Sequence, residues 1–216
     1  FLTEAMNVVN ERKRPYIVME GMSDRFMATY KRPFEAKDIK VVMYAGGLHE
    51  RYGLKKLTEA FMMLPQENFR LKLFGSGPFV EKLKTKYTKK DSRIQYMGVA
   101  PNAEVVAAEL DASLLVNPRP THEEFTKYSF PSKNIEYMAS GTPLLTTKLP
   151  GMPKEYYPYV FLIENESVEG YAKALERVLA QSDEELYVFG EKAKDFVLEK
   201  KNSFEQAKRV IELIKL

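Results

Sequence analysis

Cysteine and tryptophan are both absent from this sequence of 216 residues. The absence of cysteine excludes a disulfide framework and catalysis by a thiolate, and it fits a reducing cytoplasm. No apolar run approaches the roughly 18 residues that a helix needs to span a bilayer. Neither charge sign dominates, because 33 lysines and arginines stand against 30 aspartates and glutamates. A formal net charge of +3 is too small to indicate a nucleic-acid partner, although it suits anionic small molecules.

Two common phosphate-binding motifs are also missing. The spacing G-x-G-x-x-G of dinucleotide-binding proteins does not occur, and neither does the phosphate loop G-x-x-x-x-G-K-[ST]. Any nucleotide must therefore be held in another way.

What the sequence does contain is a regular alternation of short apolar runs and amphipathic segments, which starts near Lys40. The apolar runs predict strands at 40–47, 69–74, 93–98, 112–118, 143–147 and 159–164. The amphipathic segments predict helices at 54–65, 79–90 and 102–110, from about 132, and near 167–181, 183–201 and 203–215. Strands alternating with helices favour a parallel sheet covered on both faces. We therefore predict an α/β fold, a Rossmann-like doubly wound parallel sheet, over residues 38–216.

The first 37 residues do not share this alternation. The stretch FLTEAMNVVN has helical spacing, PYIVMEG predicts a strand at 15–21, and residues 22–38 show no clean period and suggest a linker. Because the chain starts at Phe1 in mid-pattern, we expect residues 1–37 to be the remnant of a preceding domain.

Ligands of open parallel sheets bind beyond the carboxyl ends of the strands. In the first such loop, AGGLHERYG, Gly46 and Gly47 allow backbone amides to approach a phosphate, and His49 and Arg51 lie between them and the next helix. The alternatives are a turn that serves only packing and a solvated His49. In the second loop, GSGP, Gly77 predicts either a helix-entry turn or close passage of the backbone beside a base.

The third loop leads into the stretch SFPSKNIEYMASGTP. Ser132 stands where a helix N-cap belongs, and Glu136 lies four residues later on the same face. A carboxylate can accept hydrogen bonds from both hydroxyls of a ribose, and Lys133 adds an ammonium where a diphosphate could lie. The alternative interpretation treats Glu136 as a carboxylate near the helix dipole and Lys133 as a solvated side chain.

Several ordered strings together resemble one family: YAGGL, LFGSGPFVEKL, YMGVAPNAEVVAAELDASLLVNP and SFPSKNIEYMASGTPLLTT. They resemble the C-terminal domain of family 4 retaining glycosyltransferases of the GT-B type, over roughly Lys40 to Glu166. That family has a glutamate, seven residues, a second glutamate and then Gly-x-Pro. Glu136 matches the second glutamate, and Gly141 with Pro143 matches the helix end.

The resemblance implies roles for residues of the donor site. Glu136 would hold the ribose hydroxyls, Gly46 and Gly47 would admit the diphosphate and sugar, and Ser132 and Lys133 would lie beside the diphosphate. Gly77 and Val99 would lie near the base and the rim of the ribose. The family requires neither a metal nor a cofactor, and His122 with Glu123 and Glu124 does not form a sound metal shell, because neighbouring side chains point apart.

The sequence also departs from the family pattern. Tyr128 stands in the donor site where the first glutamate is usual, Gly47 where an arginine is common, and Tyr52 where a lysine is common. The candidate replacements for the missing cations are Arg51, Arg119, Lys127 and Lys133. Of these, Lys133 and Arg119 are the predicted catalytic cations. The alternative for Arg119 is an ion pair with Glu123 or Glu124.

The resemblance implies a two-domain enzyme that transfers a sugar from a nucleotide-diphosphate sugar to an acceptor hydroxyl with retention. This chain would be the donor-binding part and inactive alone. The missing N-terminal domain would bind a saccharide or lipid-linked acceptor. The alternatives are a GT-B nucleotide-sugar epimerase and a nucleotide-sugar-binding domain without catalysis. We expect a cytoplasmic location, with peripheral contact to the inner membrane face if a run of lysines is not merely solvated: Lys82, Lys84, Lys86, Lys89 and Lys90.

Overall fold

A computed structural model describes residue 10 and residues 13–215 of the chain. The helix predicted from the spacing of residues 2–9 lies outside the described residues. Six strands form one sheet in the order β3-β2-β1-β4-β5-β6, and every neighbouring pair is parallel. The strands are β1 Lys40–Ala45, β2 Phe69–Phe74, β3 Ile94–Gly98, β4 Leu114–Asn117, β5 Leu144–Thr147 and β6 Phe161–Ile163.

Seven helices of the described chain accompany the sheet, and the last of them packs against the helix before it. They are α1 Leu54–Met62, α2 over 79–90 with a π-helical stretch Leu83–Tyr87, α3 Asn102–Asp111, α4 Ser132–Ser140, α5 Val168–Leu179, α6 Asp183–Lys200 and α7 Ser203–Ile214. Successive side chains of β1 point to opposite faces. Val42 and Tyr44 join a core with α1, α2 and α5, whereas Met43 and Ala45 join a core with α3, α4 and α6. The predicted doubly wound Rossmann-like sheet is therefore confirmed.

The strand predicted at 15–21 is wrong. These residues form no ladder, and the nearby pairing is a single isolated bridge between Ser23 and Asn202. The apolar pattern is explained by packing against the α6–α7 junction, where Glu20 pairs with Lys201 at 3.3 Å and Val18 accepts a hydrogen bond from Arg209 at 2.9 Å.

Short 3₁₀ helices occupy stretches for which no regular structure was predicted. They are Arg25–Thr29, Glu50–Tyr52, Glu124–Lys127 and Lys154–Tyr159. A single turn is too short to produce a readable apolar period. Two of the four lie in the loops after β1 and β4, which are the predicted ligand loops.

A glycine allows the loops after β1 and β4 to lie in close contact. Gly53 has φ +84°, and a Cβ at this position would lie 1.9 Å from the carbonyl oxygen of Pro118. Only glycine combines this backbone conformation with such a close approach. The close approach of the two loops therefore requires glycine at position 53.

Replacement of Gly53 by alanine should destabilise the fold strongly. We expect the positive φ to cost about 1–2 kcal/mol and the overlap with Pro118 to cost about 1–3 kcal/mol more. Gly98→Ala is the matched control, because Gly98 has φ +77° but a Cβ there meets nothing within 4 Å. Urea denaturation of both variants measures the difference, and equal losses of unfolding free energy would contradict the close approach.

Candidate functional site

Helix α4 is anchored to the ends of both central strands. The Tyr137 hydroxyl accepts a hydrogen bond from Ala45 N at 2.8 Å and donates one to Ala45 O at 3.0 Å. The Asn117 amide donates to Asn134 Oδ1 at 2.6 Å. Burial raises the pKa of Tyr137 well above its usual range, so the phenol keeps the proton that it donates. The N-terminus of α4 therefore stands over the point where the strand order reverses between β1 and β4.

Lys133 and Gly46 meet at this point. A Cβ on Gly46 would lie 3.2 Å from Cε of Lys133 and 3.0 Å from the Tyr44 hydroxyl oxygen. The Lys133 ammonium lies 3.3 Å from Glu136 Oε2, and the two side chains are 33% and 35% exposed. A pair exposed to this degree contributes at most about 1 kcal/mol. A ligand can therefore separate Lys133 from Glu136 at little cost.

The predicted N-cap at Ser132 is wrong. Pro131, with φ −65° and ψ 116°, occupies the N-cap position, and no side-chain hydrogen bond caps α4. Ser132 is the first helical residue and is exposed. The carbonyl of Pro131 accepts the first hydrogen bond of the helix, from Asn134 N at 2.9 Å, while its own backbone is still extended, so the helix begins one residue later, at Ser132.

Two arginines lie against an aromatic pair in the loops after β1 and β4. Tyr52 and Phe125 have ring centroids 6.3 Å apart. The Arg119 guanidinium lies 4.9 Å from the Tyr52 centroid and 5.5 Å from that of Phe125. The corresponding distances for Arg51 are 5.3 and 5.4 Å. The two rings orient both arginine side chains and leave their positive charges unneutralised.

Arg119 does not form the alternative ion pair with Glu123 or Glu124. Across residues 13–215, no carboxylate lies within 4.0 Å of its guanidinium. It is close enough to Tyr44 for its charge to oppose the effect of burial, which raises the pKa of Tyr44 to about 12. The Tyr44 hydroxyl in turn donates to Gly47 O at 3.1 Å. Arg119 and Lys133 thus converge on the loop Gly46–Gly47.

The backbone that carries Arg119 is fixed by neighbouring hydroxyl groups. Tyr171 donates to Pro118 O at 2.8 Å, Thr146 donates to Asn117 O at 3.0 Å, and Thr147 donates to Arg119 O. Satisfied carbonyls on three consecutive residues make this a rigid support rather than a mobile loop.

The other predicted site residues are spread around this centre. His49 is half-buried, with its ring 5.1 Å from that of Tyr52. Gly77 is explained by packing, since a Cβ there would lie 2.4 Å from Leu48 O. Val99, at 75% exposure, follows the end of β3. Two residues are exposed at the end of the 3₁₀ helix in the third loop, with no recorded contact to Lys133: Lys127 and Tyr128.

Sequence reasoning missed Glu109, a buried acid of α3. The residue is 0% exposed, and neither carboxylate oxygen has a hydrogen-bond partner in the described chain. Burial, and then the charge of Glu136, raise its pKa to about 8, while Lys133 acts in the opposite direction. The signal was present, because Glu109 falls three and four residues after Val106 and Val105, on the apolar face of the helix.

Two further findings concern the described residues as a whole. No cluster of three or more histidine, cysteine, aspartate or glutamate side chains among residues 13–215 could hold a metal ion. None of the helices found in the described chain has the length and apolarity required to cross a membrane.

Comparison with known proteins identifies the family. Residues 28–215 match the family described as glycosyl transferases group 1, and the chain belongs to this family. It is 30% identical over 112 residues to a protein named as a colanic acid biosynthesis glycosyltransferase, WcaL, of Escherichia coli (strain K12). That match covers 50% of this chain and 27% of WcaL.

Solved structures share the fold. Sucrose-phosphate synthase from Thermosynechococcus elongatus has a TM-score of 0.74 at 19% identity, over 97% of this chain and 54% of that one. TarM from S. aureus, solved with fondaparinux, α-GlcNAc-glycerol and UDP, has a TM-score of 0.75 at 17% identity, over 98% of this chain and 42% of that one. The predicted membership of the group 1 glycosyltransferases and the GT-B type of fold are confirmed, and the chain spans about half or less of these relatives.

The buried carboxyl of Glu109 should make stability depend on pH. The folded state holds its proton up to about pH 8, whereas the unfolded chain releases it near pH 4.5. The unfolding free energy should therefore fall as pH rises between these values and stay level above them, since each unit corresponds to about 1.36 kcal/mol.

Urea denaturation of wild type and Glu109→Gln at acidic and alkaline pH measures this effect. We expect the wild type to lose several kcal/mol more than the glutamine variant, which keeps the shape but cannot ionise. Parallel pH profiles of the two proteins would show that Glu109 is already ionised and paired in the folded state.

Proposed function

We propose that this chain is the donor-binding part of a retaining glycosyltransferase, which takes its sugar from a nucleoside diphosphate sugar. The observation that carries the proposal is the ion pair of Lys133 and Glu136 on the first turns of α4, with Lys133 directly beside Gly46. A carboxylate for two ribose hydroxyls, an ammonium for the diphosphate and a helix N-terminus meet at the topological switch point.

The ion pair between Lys133 and Glu136 supports this division of roles. About a third of each side chain is exposed, and each holds the other near the place where a ligand would lie. A ribose diol would take the place of the ammonium at Glu136. The released Lys133 would then face the diphosphate, with a gain in attraction because the ligand carries more negative charge than one carboxylate.

Arg119 would be the second cation on the diphosphate, in place of the lysine that Tyr52 replaces. Its guanidinium lies on the Tyr52 ring at 4.9 Å, so the tyrosine supports a cation instead of supplying one. Arg51 lies on the same ring at 5.3 Å and reinforces the positive potential. An arginine on a fixed aromatic support keeps its donors oriented toward phosphate oxygens.

Catalysis would come from stabilisation of the departing diphosphate. Lys133, Arg119 and the amides of the first turn of α4 would lower the energy of the negative charge that develops on the leaving oxygen. Tyr128, which is 43% exposed, offers no carboxylate to the sugar, so sugar recognition in this protein would depend on other groups. The chain is proposed to require neither a metal nor another cofactor.

The acceptor would be bound by a second domain. Because the chain spans 54% of sucrose-phosphate synthase and 42% of TarM, we propose that residues 1–37 belong to the junction with an acceptor-binding domain and that residues 38–216 bind the donor. UDP is present in the TarM structure, and WcaL is named for colanic acid biosynthesis. A UDP-linked sugar and a saccharide or lipid-linked acceptor at the cytoplasmic membrane face are therefore the first candidates to test.

Truncation of Glu136 should weaken nucleotide binding in proportion to a lost charged hydrogen bond. We expect Glu136→Ala to cost about 1.5–3 kcal/mol, or roughly ten- to over a hundredfold in affinity, for whichever of UDP, GDP and ADP binds. Calorimetric titration measures the loss. Glu104→Ala, at the exposed start of α3, is the control and should bind like wild type; equal affinity of all three proteins would refute the ribose site.

Replacement of Arg119 should weaken only the part of the binding that the diphosphate contributes. Arg119→Met keeps the stem against Tyr52 but removes the charge, so affinity for the nucleoside diphosphate should fall by about ten- to a hundredfold. Affinity for the nucleoside should not change. Titration with both ligands separates the two effects, with Arg177→Met on the distant α5 as control. A loss of nucleoside affinity would mean that Arg119 supports the fold or the base instead.

A further inference from the structure

Glu109 lies on α3, which packs against the α4 helix of the proposed donor site, and it has no role in the binding scheme proposed above. Its carboxyl group is fully buried and has no hydrogen-bond partner in the described chain. The main chain at this position is well fixed, since Glu109 O accepts from Thr142 Oγ1 at 2.7 Å. Arg32 donates to the next carbonyls, Leu110 O and Ala112 O, at 3.1 and 3.3 Å. The side chain is therefore held in a buried position without a hydrogen-bond partner, where a carboxylate is strongly disfavoured.

The ionisable groups that face Glu109 all belong to α4. They are Lys133, Glu136 and the phenol of Tyr137, and each is coupled to Glu109 through its charge. β1 also packs against α3, but its residues on this face do not titrate: Val41, Met43 and Ala45. A change of charge at Glu109 is therefore felt first by the two side chains proposed to hold the ribose and the diphosphate.

We propose that Glu109 is a positioning residue whose protonation controls the affinity of the site for a nucleoside diphosphate; this inference rests on the proposed function of Lys133 and Glu136. The neutral acid leaves the Lys133 ammonium available to the diphosphate. The ionised form places a second carboxylate beneath Lys133 and Glu136. That charge attracts the ammonium away from the ligand and repels the diphosphate.

The pH range of the effect follows from burial. Burial and the charge of Glu136 raise the pKa of Glu109 to about 8, so the acid is mostly neutral at pH 7 and ionised at pH 9. A bound diphosphate adds negative charge nearby and raises the pKa further. By linkage, binding must then take up protons near pH 8, to the same extent that ionisation weakens binding.

Calorimetry of the chain with UDP, GDP and ADP between pH 6.5 and 9.5 tests the proposal. Glu109→Gln keeps the shape and stays neutral, and Glu104→Gln at the exposed start of the same helix is the control. At pH 6.5 all three proteins should bind alike. At pH 9.5 the wild type and the control should bind about tenfold more weakly than Glu109→Gln, which corresponds to a pKa increase of about one unit on binding.

Proton uptake gives an independent readout. At pH 8, titrations in two buffers of different ionisation enthalpy should show that the wild type takes up a fraction of a proton more than Glu109→Gln. Protons bound by the nucleotide itself are common to both proteins and cancel in this difference. A ¹³C NMR titration of the glutamate carboxyls in the wild type should show one group that titrates near pH 8 and shifts upward with nucleotide, which does not depend on the folding of any variant.

The outcomes separate the two claims. Nucleotide binding with the same pH profile and the same proton uptake in wild type and Glu109→Gln overturns the role of Glu109 and leaves the donor site intact. Failure of all three nucleotides to bind at every pH overturns the proposed donor site, and the role of Glu109 with it. Weaker binding of the wild type at alkaline pH, together with the extra proton uptake, supports both.

Discussion

The site depends on the two hydrogen bonds between the Tyr137 hydroxyl and the backbone of Ala45, at 2.8 and 3.0 Å. They satisfy a buried N–H and a buried C=O at the end of β1, and they join that strand to the middle of α4. A phenol that lost its proton could not make both bonds, and burial prevents that loss. Lys133 lies one helical turn before Tyr137, so the same contact holds its side chain over Gly46.

In the proposed site, a ligand would replace the ion-pair partners of Lys133 and Glu136 instead of burying a new charge. Lys133 and Glu136 hold each other at 3.3 Å, while Arg119 rests on the faces of Tyr52 and Phe125 and keeps its charge. In the proposed site, an anion would therefore approach two cations whose side chains are already oriented. In the proposed site, Arg119 and Lys133 would take the place of the basic residues that the family pattern has at the positions of Gly47 and Tyr52.

The alternation of apolar runs and amphipathic segments was sufficient to predict the sheet and its helices, because buried parallel strands and two-sided packing leave a strong pattern. The three ligand loops followed from the sheet rule. The contact of Arg119 with Tyr52 and Phe125 could not be predicted from the sequence, because Tyr52 and Arg119 are far apart along the chain. The strand at 15–21 failed because an apolar run does not reveal whether a sheet edge or a helix pair covers it. The prediction of Ser132 as the N-cap was wrong because the same local sequence is compatible with a helix that starts one residue earlier or later.

A crystal structure of the chain with a bound nucleoside diphosphate is the most direct test of the account. We predict the ribose hydroxyls on the Glu136 carboxylate and the diphosphate between the Gly46–Gly47 loop, Lys133 and Arg119. A nucleotide bound elsewhere would contradict it, for example in the cavity of about 200 Å³ that is lined by linker residues and by Ser113, next to the amino-terminal end of β4, with the Lys133–Glu136 pair still closed.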